Sequence, residues 1–221
     1  MPRYYVKYTL NETSRVECMS RFAMMTPEDD LADMGEDVTM VGRWATVGES
    51  SGFCIAEAKT TKSLHNWLSN WAPMATMEVF PVVDDNQARE IVLGGHPSYT
   101  VDYSNAGSEA KVGESLYLIE YKFLPDARAE GYQLFANMTK EEDAQDSGEN
   151  TCYGRWHNMG LGTGVAVCSS KSEFDLYKWA FNWNTLCDCS VTPVVSDTDC
   201  RENIKSKPWF AAANQKRSRW F

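Results

Sequence analysis

GRWATVG at residues 42–48 returns as GRWHNMG at residues 154–160, and the rest of the chain is read outward from that recurrence. LHNWLSNW (64–71) returns as LYKWAFNW (176–183), and FPVVDD (80–85) as TPVVSD (192–197). Each second occurrence lies 112 residues after the first, without a gap from Gly42 to Glu90. Tryptophan is a rare residue, so three pairs in constant register (Trp44/Trp156, Trp67/Trp179 and Trp71/Trp183) identify an internal duplication.

Upstream, YYVKYTL (4–10) is rich in strand formers and matches YLIEYKF (117–123), now at an offset of 113 residues. Val16, Met19, Phe22 and Ala23 then recur at helical spacing, and Thr26-Pro27-Glu28-Asp29 supplies an N-cap with proline at the first helical position. The second copy carries a capping box at Thr139–Glu142, and Gly35 and Gly148 serve as stops. Two strands follow, 39–47 and 52–58, joined by a turn at 48–51; the second copy turns at 160–163. Leu64, Trp67, Leu68 and Trp71 fall on one helix face, repeated by Leu176, Trp179, Ala180 and Trp183 after a capping box at 170–173. A final strand closes each copy near Pro81 or Pro193.

Strand, helix, strand, strand, helix, strand is the ferredoxin-like order. The expected fold class is α+β: two tandem ferredoxin-like βαββαβ units, whose uncovered sheet faces pair as an intrachain pseudo-dimeric α/β barrel. The expected division is a first unit over 1–92, a connector over 93–115, a second unit over 116–204 and a basic aromatic tail over 205–221.

The chain has 221 residues and a net charge of −10, which argues against a nucleic-acid backbone as principal partner. Its seven cysteines are odd in number and are not preserved between the copies, which points to a reducing compartment, the cytoplasm or a reducing organelle lumen. No apolar run approaches 18 residues, so no membrane span is expected.

Candidate chemistry is scattered. Strand parity sets Met77 and Val79 towards the helices and Glu78 towards the other sheet face; Ser190 replaces Glu78 in the second copy, which makes Glu78 a candidate base. His65 and His157 are candidate general bases or ligands, answered by Tyr177 and Ala45. Arg43 and Arg155 are repeated and could anchor an anion or pair with carboxylates; Trp44 and Trp156 could line a cavity for a planar ligand or pack in the core. Cys187-Asp188-Cys189 lacks the fourth ligand of a structural zinc site.

The repeated unit resembles a family of small bacterial proteins of unknown function, related to the dimeric α/β-barrel superfamily. The resemblance rests on Gly42-Arg43-Trp44, Phe53, Leu64, Trp67, Trp71 and Glu78-Val79-x-Pro81-Val82. The second copy keeps Gly154–Trp156, Leu176, Trp179, Trp183 and Pro193-Val194, with Val165 for Phe53. It implies the fold and carries no activity to transfer; the wider superfamily includes heme-using enzymes, cofactor-free monooxygenases and ligand-binding domains. For a heme, His157 or His96 would be the first axial candidates. The cofactor is left unknown. The expected function is a small-molecule-binding protein or cofactor-light enzyme, with Glu78 as base, Arg43 as anchor and Trp44 as wall. The alternative is a non-catalytic module that docks on a protein partner through its sheets or its tail.

Overall fold

The computed structural model describes residues 1–107 and 109–217, with side chains described through Ala213. The first repeat runs β1 (Arg3–Leu10), α1 (Arg15–Met24), α2 (Pro27–Met34), β2 (Val38–Thr46), β3 (Ser51–Ala58), α3 (Thr61–Ser69), β4 (Ala75–Asp84) and α4 (Asp85–Leu93). The second runs β5 (Ser115–Phe123), α5 (Arg128–Asn137), α6 (Lys140–Ser147), β6 (Thr151–Asn158), β7 (Thr163–Ser170), α7 (Glu173–Asn182), β8 (Cys187–Ser196) and α8 (Asp197–Lys205), followed by α9 (Pro208–Arg217). Each repeat is thus βααββαβα, two helices richer than the expected βαββαβ. The first crossover is split because Pro27 has no N–H and holds Thr26 extended at φ −79° and ψ 168°, after which a capping box starts α2 afresh. The cap of α7 is Ser172, bonding Asp175 N, two residues beyond the expected position.

The compact units do not coincide with the repeats. One comprises Met1–Phe80 with Val195–Phe221, the other Pro81–Val194, so the boundaries cut through β4 and β8. In the first unit β3 lies between β1 and β2, antiparallel to both, with Tyr5 opposite Ile55 and Trp44 opposite Phe53. In the second the order is β8-β5-β7-β6, and the end of β4 adds Val83 and Asp84 to β6. The expected pair of self-contained βαββαβ units is therefore corrected to an α+β fold of two units, each taking parts of both repeats. The physical reason is where the terminal helices bury their apolar faces. Ala88 on α4 packs with Phe135 and Ala136 of α5, and Ile204 on α8 packs with Ala23 of α1. The tail continues as α9, whose Phe210 is buried in that same cluster; Trp220 and Phe221 lie outside the described residues.

The repeated tryptophans are core residues with a polar handle. Trp67 and Trp71 both donate their indole N–H to Asp33 Oδ2, at 3.1 and 2.7 Å. Trp179 and Trp183 do the same to Asp146 Oδ2, each at 2.8 Å. One carboxylate on α2 or α6 thus satisfies one buried and one partly buried indole and ties that helix to α3 or α7. Gly42 and Gly154 are dictated by the other pair: a Cβ there would meet the Trp44 or Trp156 ring at 2.2 or 2.5 Å.

The repeated arginines are brackets. Arg43 on β2 donates through Nε to Asp197 at 2.6 Å and through Nη2 to Asp30 at 3.2 Å. Arg155 on β6 donates through Nε to Asp85 at 2.8 Å and through Nη1 to Asp143 at 2.8 Å. Each bracket fastens two helices to one strand, α8 and α2 in the first unit, α4 and α6 in the second. Burial by itself would raise the Asp85 carboxyl, but the Arg155 charge and the His157 hydrogen bond hold it down at about 2.

Two outcomes are expected. Gly42→Ala or Gly154→Ala forces the indole against a new methyl group and lowers stability by about 1–3 kcal/mol, measured by urea unfolding. Asp85→Asn leaves Arg155 and His157 without their carboxylate and costs about 3–5 kcal/mol at pH 7. Because the folded-state carboxyl is depressed, its contribution is present above an unfolded value of about 3.9 and is lost as pH falls towards the folded value. The difference between variant and parent should therefore shrink from pH 4 downward; a difference independent of pH would refute the bracket.

Candidate functional site

Between sheet and helices each unit has a hollow, and the two differ in volume. In the first unit it measures about 310 Å³ and is lined by β1, β2 and β3 and by α1, α3 and α8. In the second it measures about 70 Å³. The framework is repeated, so the difference lies in side chains. His157 stands where the first repeat has Ala45, Phe123 where it has Leu10, and Tyr132 where it has Met19. Three large groups fill the second hollow; three smaller ones leave the first open.

His157 is buried and its hydrogen bonds run into the protein. Nε2 lies 2.6 Å from Asp85 Oδ1, and Nδ1 meets the Tyr121 hydroxyl. These partners fit an imidazole that carries its proton on Nε2, donates to Asp85 and accepts from Tyr121. Burial pushes the Tyr121 hydroxyl well up, so it keeps the proton it donates. Two connector tyrosines seal the assembly: Tyr99 donates to Asp143 and accepts from Arg89, and Tyr103 donates to the Arg155 carbonyl at 2.9 Å while accepting from Asp85 N. An Asp–His–Tyr chain could relay a proton, yet the space beside it is that of about two waters. Nor do these residues fit a heme: His157 has no unengaged ring nitrogen, and His96 on the connector is 98% exposed. Among the described residues, no cluster of three or more His, Cys, Asp or Glu suits a metal ion.

The first hollow is more open and chemically quieter. Arg43 reaches it with Nε and Nη2 committed to Asp197 and Asp30; among the described residues Nη1 has no hydrogen-bond partner. Tyr8 makes one long hydrogen bond, 3.4 Å to the Trp44 carbonyl, and burial raises its hydroxyl pKa. Burial likewise pushes the Cys54 thiol up to about 12 and the Cys18 and Cys200 thiols up to about 11. These three thiols answer Ala166, Gly131 and Ala88 of the second unit. Glu49, on the β2–β3 turn, stands at the edge of the hollow and accepts from Ser51 at 2.8 Å.

The other candidates lie elsewhere. Trp44 is 1% exposed and stacks on Phe53 at 5.0 Å, on the sheet face opposite Arg43, and Trp156 is fully buried on the equivalent face. Glu78 is exposed, while its neighbour Met77 lines the hollow. His65 is exposed on α3, beside buried Leu64. The structure thus brings Arg43 to the first hollow and Arg155 and His157 to the second. Sequence reasoning missed Tyr8 and all four bracketing aspartates. The aspartates had a usable signal, since Asp30/Asp143 and Asp85/Asp197 are repeated as faithfully as the arginines.

Comparison with solved structures places the fold. A variant of chlorite dismutase from Candidatus Nitrospira defluvii is 10% identical with a TM-score of 0.54, covering 92% of this chain and 94% of that one. A "putative monooxygenase" from Lactobacillus acidophilus NCFM is 11% identical with a TM-score of 0.51, covering 89% and 94%. At such identities the likeness shows a shared fold and transfers no activity. No curated protein matches the chain at a significant level. Among the described residues no helix is long and apolar enough to cross a membrane. The family model described as Domain of unknown function (DUF3303) matches residues 2–96 and again 115–207, so the chain belongs to that family and carries two copies of its domain.

Proposed function

We propose that this protein binds a small organic molecule in the hollow of its first unit. The observation that carries the reading is the contrast between about 310 Å³ and about 70 Å³ on one duplicated framework. Small-molecule sites commonly span roughly 300–1,000 Å³, with apolar walls and a few placed polar groups. The first hollow answers that description, with Phe22, Trp67 and Trp71 as walls and Arg43 and Tyr8 as polar points. The second shows that the same framework closes with three ordinary substitutions, so the open state is a property of the first repeat's sequence. Binding is supported over acid–base turnover because Tyr8 and the three thiols hold their protons at neutral pH, and Glu78 and His65 do not line the hollow.

The test transplants the fillers. Tyr8 and Asp197 stand where Tyr121 and Asp85 hold His157, so Ala45→His combined with Leu10→Phe, two of the three fillers, should narrow the hollow below the probe's size and keep the fold. The parent is expected to bind N-phenyl-1-naphthylamine one to one, read by its fluorescence. The double variant should bind it at least tenfold more weakly with an unchanged circular dichroism spectrum. A parent that binds no probe, or a folded variant that binds as well as the parent, would sink the reading.

A further inference from the structure

Resting on that reading, we propose that the occupant is an uncharged aromatic molecule of about two fused rings, with one hydrogen-bond acceptor directed at Arg43 and Tyr8. Size comes first. A cavity of roughly 150 Å³ takes a benzene ring, and this one measures about 310 Å³, so two rings match it.

Charge comes next. The polar end of the hollow is already neutral within itself, because Arg43 and Arg201 are both paired with Asp30 and Asp197. Two cations face two carboxylates, and Phe22 lies under both guanidinium groups, at 4.8 and 4.2 Å. A ligand anion would have to compete with two built-in carboxylates for Arg43 and pass the Glu49 carboxylate. A ligand cation would find both carboxylates spent on arginines. At the Arg43 end either ion would lose its hydration against apolar walls and meet only charges that are already paired, and burying an uncompensated charge is the more costly event.

Hydrogen bonding is the third constraint. Arg43 Nη1 is a donor without an acceptor among the described residues, and Tyr8 has a single, long one. Both side chains flank Cys54, which lies opposite Arg43 on one side and opposite Val6, two residues before Tyr8, on the other. Two donors facing the cavity, neither with a short hydrogen bond to spend that proton on, select a carbonyl or ether oxygen. The walls favour a flat, polarisable body: Trp67, Trp71 and Phe22 offer rings, Met19 a thioether, and Cys18 and Cys200 thiols.

The experiment uses the full chain and isothermal titration calorimetry at pH 7 with three naphthalene probes of matched size: 2-acetylnaphthalene, naphthalene-2-sulfonate and 2-naphthylmethylammonium. The ketone is expected to bind at least tenfold more tightly than either ion. Tyr8→Phe should weaken the ketone several-fold and leave unsubstituted naphthalene within twofold. If either ion binds as tightly as the ketone, and that binding disappears in the Ala45→His/Leu10→Phe variant, the ligand class is overturned while the binding site stands. A ketone affinity indifferent to Tyr8→Phe overturns the acceptor assignment. If no probe binds the parent, or binding ignores the filled hollow, the site itself is refuted and this proposal with it.

Discussion

An arginine that cannot lose its proton, held between two aspartates beneath a sheet, is the interaction on which the rest of this structure depends. The guanidinium is permanently charged and planar, with donors enough for two carboxylates at once. Arg43 and Arg155 each use that geometry to fasten two helices to one strand. The carboxylates sit at the first residue of α8 or α4 and within α2 or α6. A second arginine one turn into each terminal helix completes the set: Arg201 donates to the carbonyls of Phe22 and Met25, and Arg89 to those of Ala136 and Met138. Charge pairing of this sort is weak evidence of net stability but strong evidence of specificity, because any other docking of the helix would strand a buried charge.

Within that shared frame the two copies have gone separate ways. The second has filled its hollow with an imidazole that satisfies both ring nitrogens, and connector tyrosines close over the Arg155 bracket. The first has the same arginine and both aspartates and carries smaller groups at the filler positions. Duplication makes such divergence tolerable, since the interactions that hold the frame are distinct from the side chains that occupy the hollow. A likeness of fold to an oxidation enzyme adds no chemistry to this; the groups in the hollow are what a ligand would meet.

Much of the frame was legible in the sequence, for local reasons. Trp67 and Trp71 at helical spacing read as core and are core; their shared carboxylate, Asp33, lies on another helix and sent no signal through spacing. Thr26-Pro27 was legible as a helix start, though not as a break between two helices, because proline at a first helical position and proline ending a preceding helix look alike in one dimension. Strand parity put Met77 towards the helices, where it packs, while Val79, assigned to the same face, is 39% exposed. Parity could not tell that Ala45, a residue without chemistry of its own, would matter through the space it leaves.

The sequence by itself determined the duplication, the capped helices and the strands with their alternating faces. The helices and strands are settled within a few residues, by periodicity and by caps. Only the tertiary structure decided which helix covers which sheet, and therefore where an open hollow lies. The helices α4 and α8 carry matching apolar positions, Ala88 and Val92 in one and Cys200 and Ile204 in the other. Such a face demands burial without naming its partner. The partner is chosen by carboxylates and arginines brought together from distant parts of the chain, such as Arg43 and Asp197, and no local pattern contains that distance.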